Sequence, residues 1–345
     1  MNSFQKIALP CAWIYGSIVW CRRWLYKKGV LKTHTFSTPT IGVGNLSVGG
    51  SGKTPHVEYL VSALSENCKI AVLSRGYGRR TQGFIKVEPF HTAEQVGDEP
   101  LQYVRKFNPE RVGVFVCENR AEGIRKIEAH YPADSIILDD AYQHLRVRPD
   151  FSILLTDYAR LFTQDFPLPV GRLREFRTAA KQADFIVVTK CPELAVNAKD
   201  KIMEDIRKYS LAPVDFSTVK HGALKPFNLA AEAMNADLAE VEVLLLSGIA
   251  NPKPFVNYME ARFKVFKIFS FGDHHKFTER DLRNLKNSFQ GHSKAILVTT
   301  EKDAMRLINS EIEKMISEIP CFYLPIEVEF ETMALMREIE KKKKR

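Results

Sequence analysis

Eight consecutive residues, Ser47, Val48, Gly49, Gly50, Ser51, Gly52, Lys53 and Thr54, set three glycines ahead of a lysine and a hydroxyl. That order suits the binding of a triphosphate. Glycines allow successive backbone N–H groups to converge on phosphate oxygens, the lysine reaches the outer phosphates, and the threonine hydroxyl is a ligand for Mg²⁺. The stretch meets the P-loop pattern GxxxxGK[ST] everywhere except its first position, where Ser47 stands for glycine. The mechanism survives that change. A strand predicted at "TIGVGN" and an amphipathic helix predicted at "TPHVEYLVSAL" supply the context, the helix adding the positive end of its dipole.

A P-loop needs a second metal anchor, usually an acid ending an apolar strand, and "SIILDD" supplies Asp139 and Asp140 there. One holds the metal while the other orients its shell or the lysine, and residue order leaves open which. Four further polar loops carry reactive side chains. "LSRGYGRR" joins Arg75, Arg79 and Arg80 to glycines and a tyrosine, a composition that neutralises phosphate, with a solvated basic turn as the plain alternative. "GDEP" puts Asp98 and Glu99 at a helix start, where an Asp also serves as N-cap. "PVGRLRE" brings Arg172 and Arg174 near Glu175, which equally describes surface ion pairs. "FGDHHKF" sets Asp273 beside His274 and His275; an imidazole next to a carboxylate is more basic and works as base or electrophilic support near neutral pH.

These loops need a frame. Eight short apolar, β-branched runs recur with helical patterns between them: "TIGVGNL", "KIAVLSRG", "RVGVFVC", "SIILDD", "FSILLTD", "DFIVVTK", "VEVLLLSGIA" and "KAILVTTEKD". Strands so uniformly apolar are buried on both faces, which predicts an α/β, P-loop NTPase-like fold with a mostly parallel sheet between helices. Most runs end in a polar or glycine turn, so chemistry collects at the C-terminal edge of the sheet. Near residue 212, "SLAPVDFSTVK" opens a stretch richer in extended pattern. The expected division is residues 1–30 as a membrane-interface helix, 31–212 as a P-loop core and 213–345 as a smaller α/β lobe closing over the site.

"IALPCAWIYGSIVWC" carries no charge and is followed by "RRWLYKK". Its fifteen residues fall short of a hydrocarbon core about 30 Å thick. The positive charge follows the apolar run, unlike a signal peptide. Two placements suit this helix. It lies in a membrane interface, with Trp13, Tyr15, Trp20 and Trp24 at headgroup depth and Arg22, Arg23, Lys27 and Lys28 toward anionic lipid, or it packs on the protein's own core. The net charge of +9 favours an anionic partner without choosing one. Six scattered cysteines, with no CxxC pair or zinc spacing, read as buried, reduced thiols of a cytosolic protein. Nucleic acid is excluded as a partner, since neither a basic-aromatic platform nor a base-reading motif occurs.

Taken in order, "GNLSVGGSGKTP", "SRGYGR", "GDEP", "LDDAYQH", "PVGRLRE", "FGDHH" and "TTEKDAMRL" resemble the motifs of the tetraacyldisaccharide 4′-kinases, which phosphorylate a membrane glycolipid in lipid A biosynthesis. The resemblance implies ATP and Mg²⁺, an acylated disaccharide phosphate as substrate, and peripheral attachment to the cytoplasmic face of the bacterial inner membrane. It implies that Gly52, Lys53 and Thr54 bind the ATP phosphates and metal, with Asp139 and Asp140 in the Walker-B role. Asp98 would take the proton of the sugar 4′-hydroxyl, Glu99 would support metal or base, and the Asp273–His274 pair would assist from the second lobe. Arg120, in "CENRAEG", with Arg172 and Arg174, would meet the substrate or the transferred phosphate. Arg172 between Gly171 and Leu173, and Ala-Tyr within "LDDAYQH", depart from the family pattern and bear on fine specificity.

The rival reading is a membrane-associated P-loop switch or targeting NTPase with no small-molecule acceptor. Its support is "TTEKD", which approaches the [NT]KxD element of GTP-binding proteins but has Glu301 between Thr300 and Lys302. "VVTKCPE" around Lys190 lacks the Asp. Either loop is a candidate neighbour of the nucleotide base.

Overall fold

The structure is a computed structural model and describes residues 3–234, 238, 241–292 and 294–343. The strands of the first half are β1 (Thr40–Asn45), β2 (Ile70–Ser74), β3 (Ile85–Lys86), β4 (Val112–Val116), β5 (Ser135–Leu138), β6 (Phe151–Asp157) and β7 (Phe185–Thr189). Those of the second half are β8 (Val214–His221), β9 (Lys225–Pro226), β10 (Glu242–Ser247), β11 (Lys264–Ser270), β12 (Ala295–Thr300), β13 (Cys321–Leu324) and β14 (Ile326–Phe330). Helices α1 (Ser3–Lys27), α2 (Lys53–Ser65), α3 (Ala93–Val96), α4 (Asp98–Lys106), α5 (Arg120–His130) and α6 (Val196–Arg207) alternate with them. They are followed by α7 (Leu229–Glu232), α8 (Lys253–Glu260), α9 (Glu279–Asn287), α10 (Glu301–Leu307) and α11 (Ala334–Lys343). Each of the eight apolar runs contains one of these strands.

Among the described residues the strands form two sheets. The larger has nine strands in the order β14-β8-β7-β6-β1-β5-β2-β4-β3, parallel except at its two ends. Successive side chains of a strand point to opposite faces, and here both faces are covered. Ile41, Val43, Ile70 and Val72 pack under Val57, Leu60 and Val61 of α2 and Leu101 of α4. On the other face Leu73, Ile136 and Leu138 meet Ile124 and Ile127 of α5, while Ile186 and Val188 meet Ile202 and Ile206 of α6. This is the doubly covered parallel sheet that uniformly apolar strands require.

The smaller sheet runs β11-β10-β12-β13-β9. The stretch 213–345, expected as one lobe, is divided between the sheets. β8 continues the large sheet beside β7, and β14 returns to pair antiparallel with β8. Leu335, Met336 and Ile339 of α11 are buried in the same core as α2. The smaller sheet is therefore an insertion between β8 and β14. Helix α10 joins the halves, since Ala304 and Met305 enter the large-sheet core beside α4.

Helix α1 packs one face on the protein's own core and leaves another exposed. Ala12, Gly16 and Arg23 form a docked face: a Cβ on Gly16 would strike the Phe176 ring, and Arg23 pairs with Glu175 through Nη2 at 2.8 Å. Ile14, Ile18, Trp20 and Trp24 stand outside that face and Trp13 at its rim, 5.6 Å from the Phe176 ring, all 43–65% exposed. Tyr15, expected at headgroup depth, faces inward instead and donates its hydroxyl to the Arg174 carbonyl at 3.1 Å. Among the described residues no helix is long and apolar enough to cross a membrane. Cys117, Cys191 and Cys321 are buried, whereas Cys11 and Cys21 on α1 are exposed, against the expectation of uniform burial.

Candidate functional site

β1 ends at Asn45, and the chain turns through residues 46–52 before α2 begins. A neighbouring loop braces the turn: Val48 N–H donates to the Arg172 carbonyl at 2.8 Å, and Ser47 bridges to Leu173. Gly49 (φ 107°) and Gly52 (φ 81°) adopt left-handed backbone that side chains resist. A Cβ on Gly49 or Gly50 would touch nothing within 4 Å, so these residues face open space, a concavity in the P-loop arrangement. The buried Ser51 hydroxyl has no hydrogen-bond partner there. Gly52 caps α2 without a side-chain bond to its first N–H groups, which leaves them to an anion. Beneath the turn, buried His56 reaches the Gly52 carbonyl at 2.7 Å and Ser217 Oγ at 2.9 Å, and burial lowers its imidazole to about 4.

Acids gather beside this concavity. Asp139, 1% exposed, accepts from Ser74 Oγ at 3.2 Å through one oxygen, while its other oxygen is buried without a partner. Burial, then the charges of Glu99 and Asp140, push its carboxyl up to about 7. Asp140 sits in left-handed backbone (φ 47°), 3.2 Å from Arg174 Nη2 and 3.7 Å from Lys53 Nζ. Its burial is outweighed by those two cations, which hold its carboxyl below the usual range. Thr54 donates its hydroxyl to Glu99 Oε1 at 3.1 Å. An orphaned buried carboxylate oxygen, a second carboxylate and a hydroxyl form a hard-oxygen donor set, and these residues fit Mg²⁺. Among the described residues no compact cage of three or more His, Cys, Asp or Glu occurs. Mg²⁺ suits such a partial set because it keeps waters and phosphate oxygens as ligands.

Asp98 opens α4 and is 6% exposed. Its Oδ1 accepts from the Glu99 N–H at 3.0 Å, and its Oδ2 accepts from Arg306 Nη2 at 2.7 Å and Nε at 3.0 Å. His274 Nδ1 lies 3.6 Å and Lys302 Nζ 3.9 Å from the same oxygen. Burial alone would raise this carboxyl; His274, Lys302 and Arg306 outweigh it and hold Asp98 well below the usual carboxylate range. Arg306 is in turn fixed by Asp303 at 2.7 Å and the Gly248 carbonyl at 2.8 Å. The His274 ring packs on Tyr77 at 5.1 Å, and Asp273 lies 3.9 Å from His274. The first half of the chain thus provides an acid, and the inserted half surrounds it with cations.

Sequence reasoning missed Lys302 and Arg306. "TTEKD" is weighed there only as a neighbour of the base, but residues four apart share a helix face, and α10 points both cations at Asp98, Lys302 reaching Glu99 as well. The candidate arginines separate. Arg120 is 2% exposed and donates to the carbonyls of Cys117 at 2.7 Å and Asp139 at 3.0 Å. Arg174 bridges Asn45 and Asp140. Arg75 and Arg172 are exposed. A cavity of about 420 Å³ opens between the end of α1 and the start of α5, lined in part by Arg22, Tyr26, Asn119, Arg120, His144 and Arg146.

Comparison with known proteins gives one answer. The model of the family described as Tetraacyldisaccharide-1-P 4′-kinase, LpxK, matches residues 4–344. A tetraacyldisaccharide 4′-kinase of Flavobacterium johnsoniae is 41% identical, the alignment covering 96% of this chain and 94% of that one. One of Bacteroides thetaiotaomicron is 40% identical over 94% of this chain and 89% of its own. Among solved structures, LpxK from Aquifex aeolicus in complex with ATP superposes with a TM-score of 0.76 at 28% identity, covering 98% of this chain and 99% of that one.

Proposed function

The chain belongs to the tetraacyldisaccharide-1-P 4′-kinase family, and on that premise we propose how its residues divide the work of an ATP-dependent lipid A 4′-kinase. The glycine turn from Ser47 to Gly52, with Lys53 and Thr54, receives the triphosphate. One observation carries the reading: the residues that close the glycine turn reach both acid pairs, Lys53 lying 3.7 Å from Asp140 and Thr54 donating to Glu99 at 3.1 Å.

The 4′-hydroxyl oxygen attacks the γ-phosphorus; its new P–O bond forms as the bond to the β–γ bridging oxygen breaks, and ADP leaves with that electron pair. The hydroxyl proton passes to Asp98. A low proton affinity does not disqualify this carboxylate. In a loose transition state the hydroxyl loses its proton late, and an ionised, aligned acceptor contributes mainly position. Arg306, His274 and Lys302 keep it ionised. Magnesium, when bound, would neutralise charge on the phosphate oxygens, and Thr54, Asp139 and Asp140 are the residues that would hold it. Glu99, bonded to Thr54, orients that hydroxyl.

The exposed Trp13, Trp20 and Trp24 of α1, beside Arg22, favour attachment to an anionic inner-membrane surface from its cytoplasmic side. The basic cavity under the end of α1 is suited to the phosphorylated headgroup, reached while the acyl chains stay in lipid. Arg120 then acts at the cavity wall, while Arg75 and Arg172 remain available to an incoming phosphate. The inserted sheet serves as the closing lobe, delivering His274, Lys302 and Arg306. The test is transfer of ³²P from ATP to a monophosphorylated tetraacyl disaccharide in detergent. Label should enter the organic phase with wild type and not with Lys53→Ala or Asp98→Ala. ATP consumption indifferent to the lipid would sink the kinase reading.

A further inference from the structure

The strand order says where the donor's nucleoside must go. β1 lies between β5 and β6. The acids assigned above to the reacting end of the triphosphate stand on the β5 side: Asp139 and Asp140 follow β5, and Asp98 and Glu99 open α4, which leads into β4. On the β6 side the strand ends carry Asp157, Thr189 and Lys190, to which phosphoryl transfer gives no task. A triphosphate seated in the glycine turn with its outer end at the acids leaves toward β6 and β7. This is the side of the sheet's crevice where a nucleoside finds room.

Lys190 is built into that side. Its backbone is left-handed (φ 56°), a conformation a non-glycine residue keeps only where its surroundings fix it. Its ammonium donates to the Gly50 carbonyl of the turn and to Asp157 Oδ2, the latter at 2.7 Å. The preceding Thr189 hydroxyl donates to the Ser51 carbonyl at 3.0 Å. Lys190 Cε lies 4.0 Å from where a Cβ on Gly52 would stand, and 41% of the side chain is exposed. The stem therefore lies along the open flank of the cradle with its charged end tied down.

We propose that Lys190 is a nucleoside-binding residue whose alkyl stem supports the base of the bound nucleotide, with Asp157 and the Gly50 carbonyl holding the stem in place. The inference rests on the ATP reading of the glycine turn and deepens it. An alkyl stem offers apolar contact and no hydrogen-bond code. A purine covers more of it than a pyrimidine, and with the ammonium tied to Gly50 and Asp157 the stem offers neither purine's edge a partner, so adenine is hardly separated from guanine. "TTEKD", the other candidate neighbour of the base, lies across the crevice with Lys302 at Asp98 and Glu99.

Calorimetric titration of the full-length protein with ATP, GTP, CTP and inorganic tripolyphosphate separates a nucleoside contact from a phosphate contact. Lys190→Ala should weaken ATP and GTP by about tenfold and leave tripolyphosphate within about twofold of wild type, and Lys190→Met, which keeps the stem, should regain most of the loss. Equal weakening of tripolyphosphate, unchanged ATP affinity, or no recovery with methionine would overturn the proposal. A wild-type protein that binds neither ATP nor tripolyphosphate would instead sink the ATP reading beneath it.

Discussion

The glycine turn and the Asp98 cluster adjoin through the Thr54–Glu99 hydrogen bond and are built in opposite ways. The turn is contiguous: its conformation follows from glycines at two positions of positive φ and from the helix that starts at Lys53. The cluster is assembled from residues 98, 274, 302 and 306, carried by two sheets and joined through α10. The turn is open at Gly49 and Gly50, and no side chain caps the first N–H groups of the helix behind it. The cluster is already satisfied, each Asp98 oxygen holding a donor. In the function proposed above, contiguous residues organise affinity for the donor, while dispersed ones organise reactivity toward the acceptor.

Substitution at the two centres gives the largest separation. Asp98→Asn should lower kcat by about 10²–10⁴-fold, the range for a lost general base, with ATP affinity retained. Lys53→Ala should lose ATP binding first. A common loss of ATP affinity in both variants, read by calorimetry beside the ³²P assay, would erase the distinction.

His56 tests the turn's support. Its folded-state value of about 4 lies below the ordinary 6.5, so the unfolded chain binds the proton more readily. The resulting stability is complete above pH 6.5 and declines as pH falls toward 4, an effect on the order of 3 kcal/mol. His56→Gln should flatten this part of the melting-temperature profile; an unchanged slope assigns the acid sensitivity elsewhere.

Arg306→Gln probes the cluster more gently. It leaves Asp98 buried with one cation fewer, and kcat should drop by about tenfold, with Arg306→Lys recovering part of it. Turnover equal to wild type would reduce Arg306 to an interlobe contact. The smallest change belongs outside both centres. Replacing exposed Trp13 or Trp24 by alanine should lower sedimentation with anionic vesicles by about threefold and leave ATP affinity untouched.

The same contrast explains what could be read in advance. The eight apolar runs marked their strands because a two-sided burial demand is written into each run. The P-loop was legible for a local reason of its own, because its glycines, lysine and threonine are contiguous. The division of 213–345 was not: nothing in "IEVEF" states that it will leave β13 and pair with β8. Nor does "CENRAEG" state that Arg120, while lining the cavity, donates to the carbonyls of Cys117 and Asp139. Lys302 and Arg306 escaped because their partner, Asp98, is some two hundred residues away.

The homecoming of β14 and α11 decides which genetic lesions this protein tolerates. Phe330 rests on His56 and Tyr59 of the P-loop helix, with ring centroids 5.7 and 4.7 Å away. A premature stop or frameshift just after β13 spares nearly the whole inserted sheet. It nevertheless strips the edge strand and a buried wall from the half that grips the nucleotide, so damage at the gene's 3′ end reads out as a defect in the residues encoded near its 5′ end.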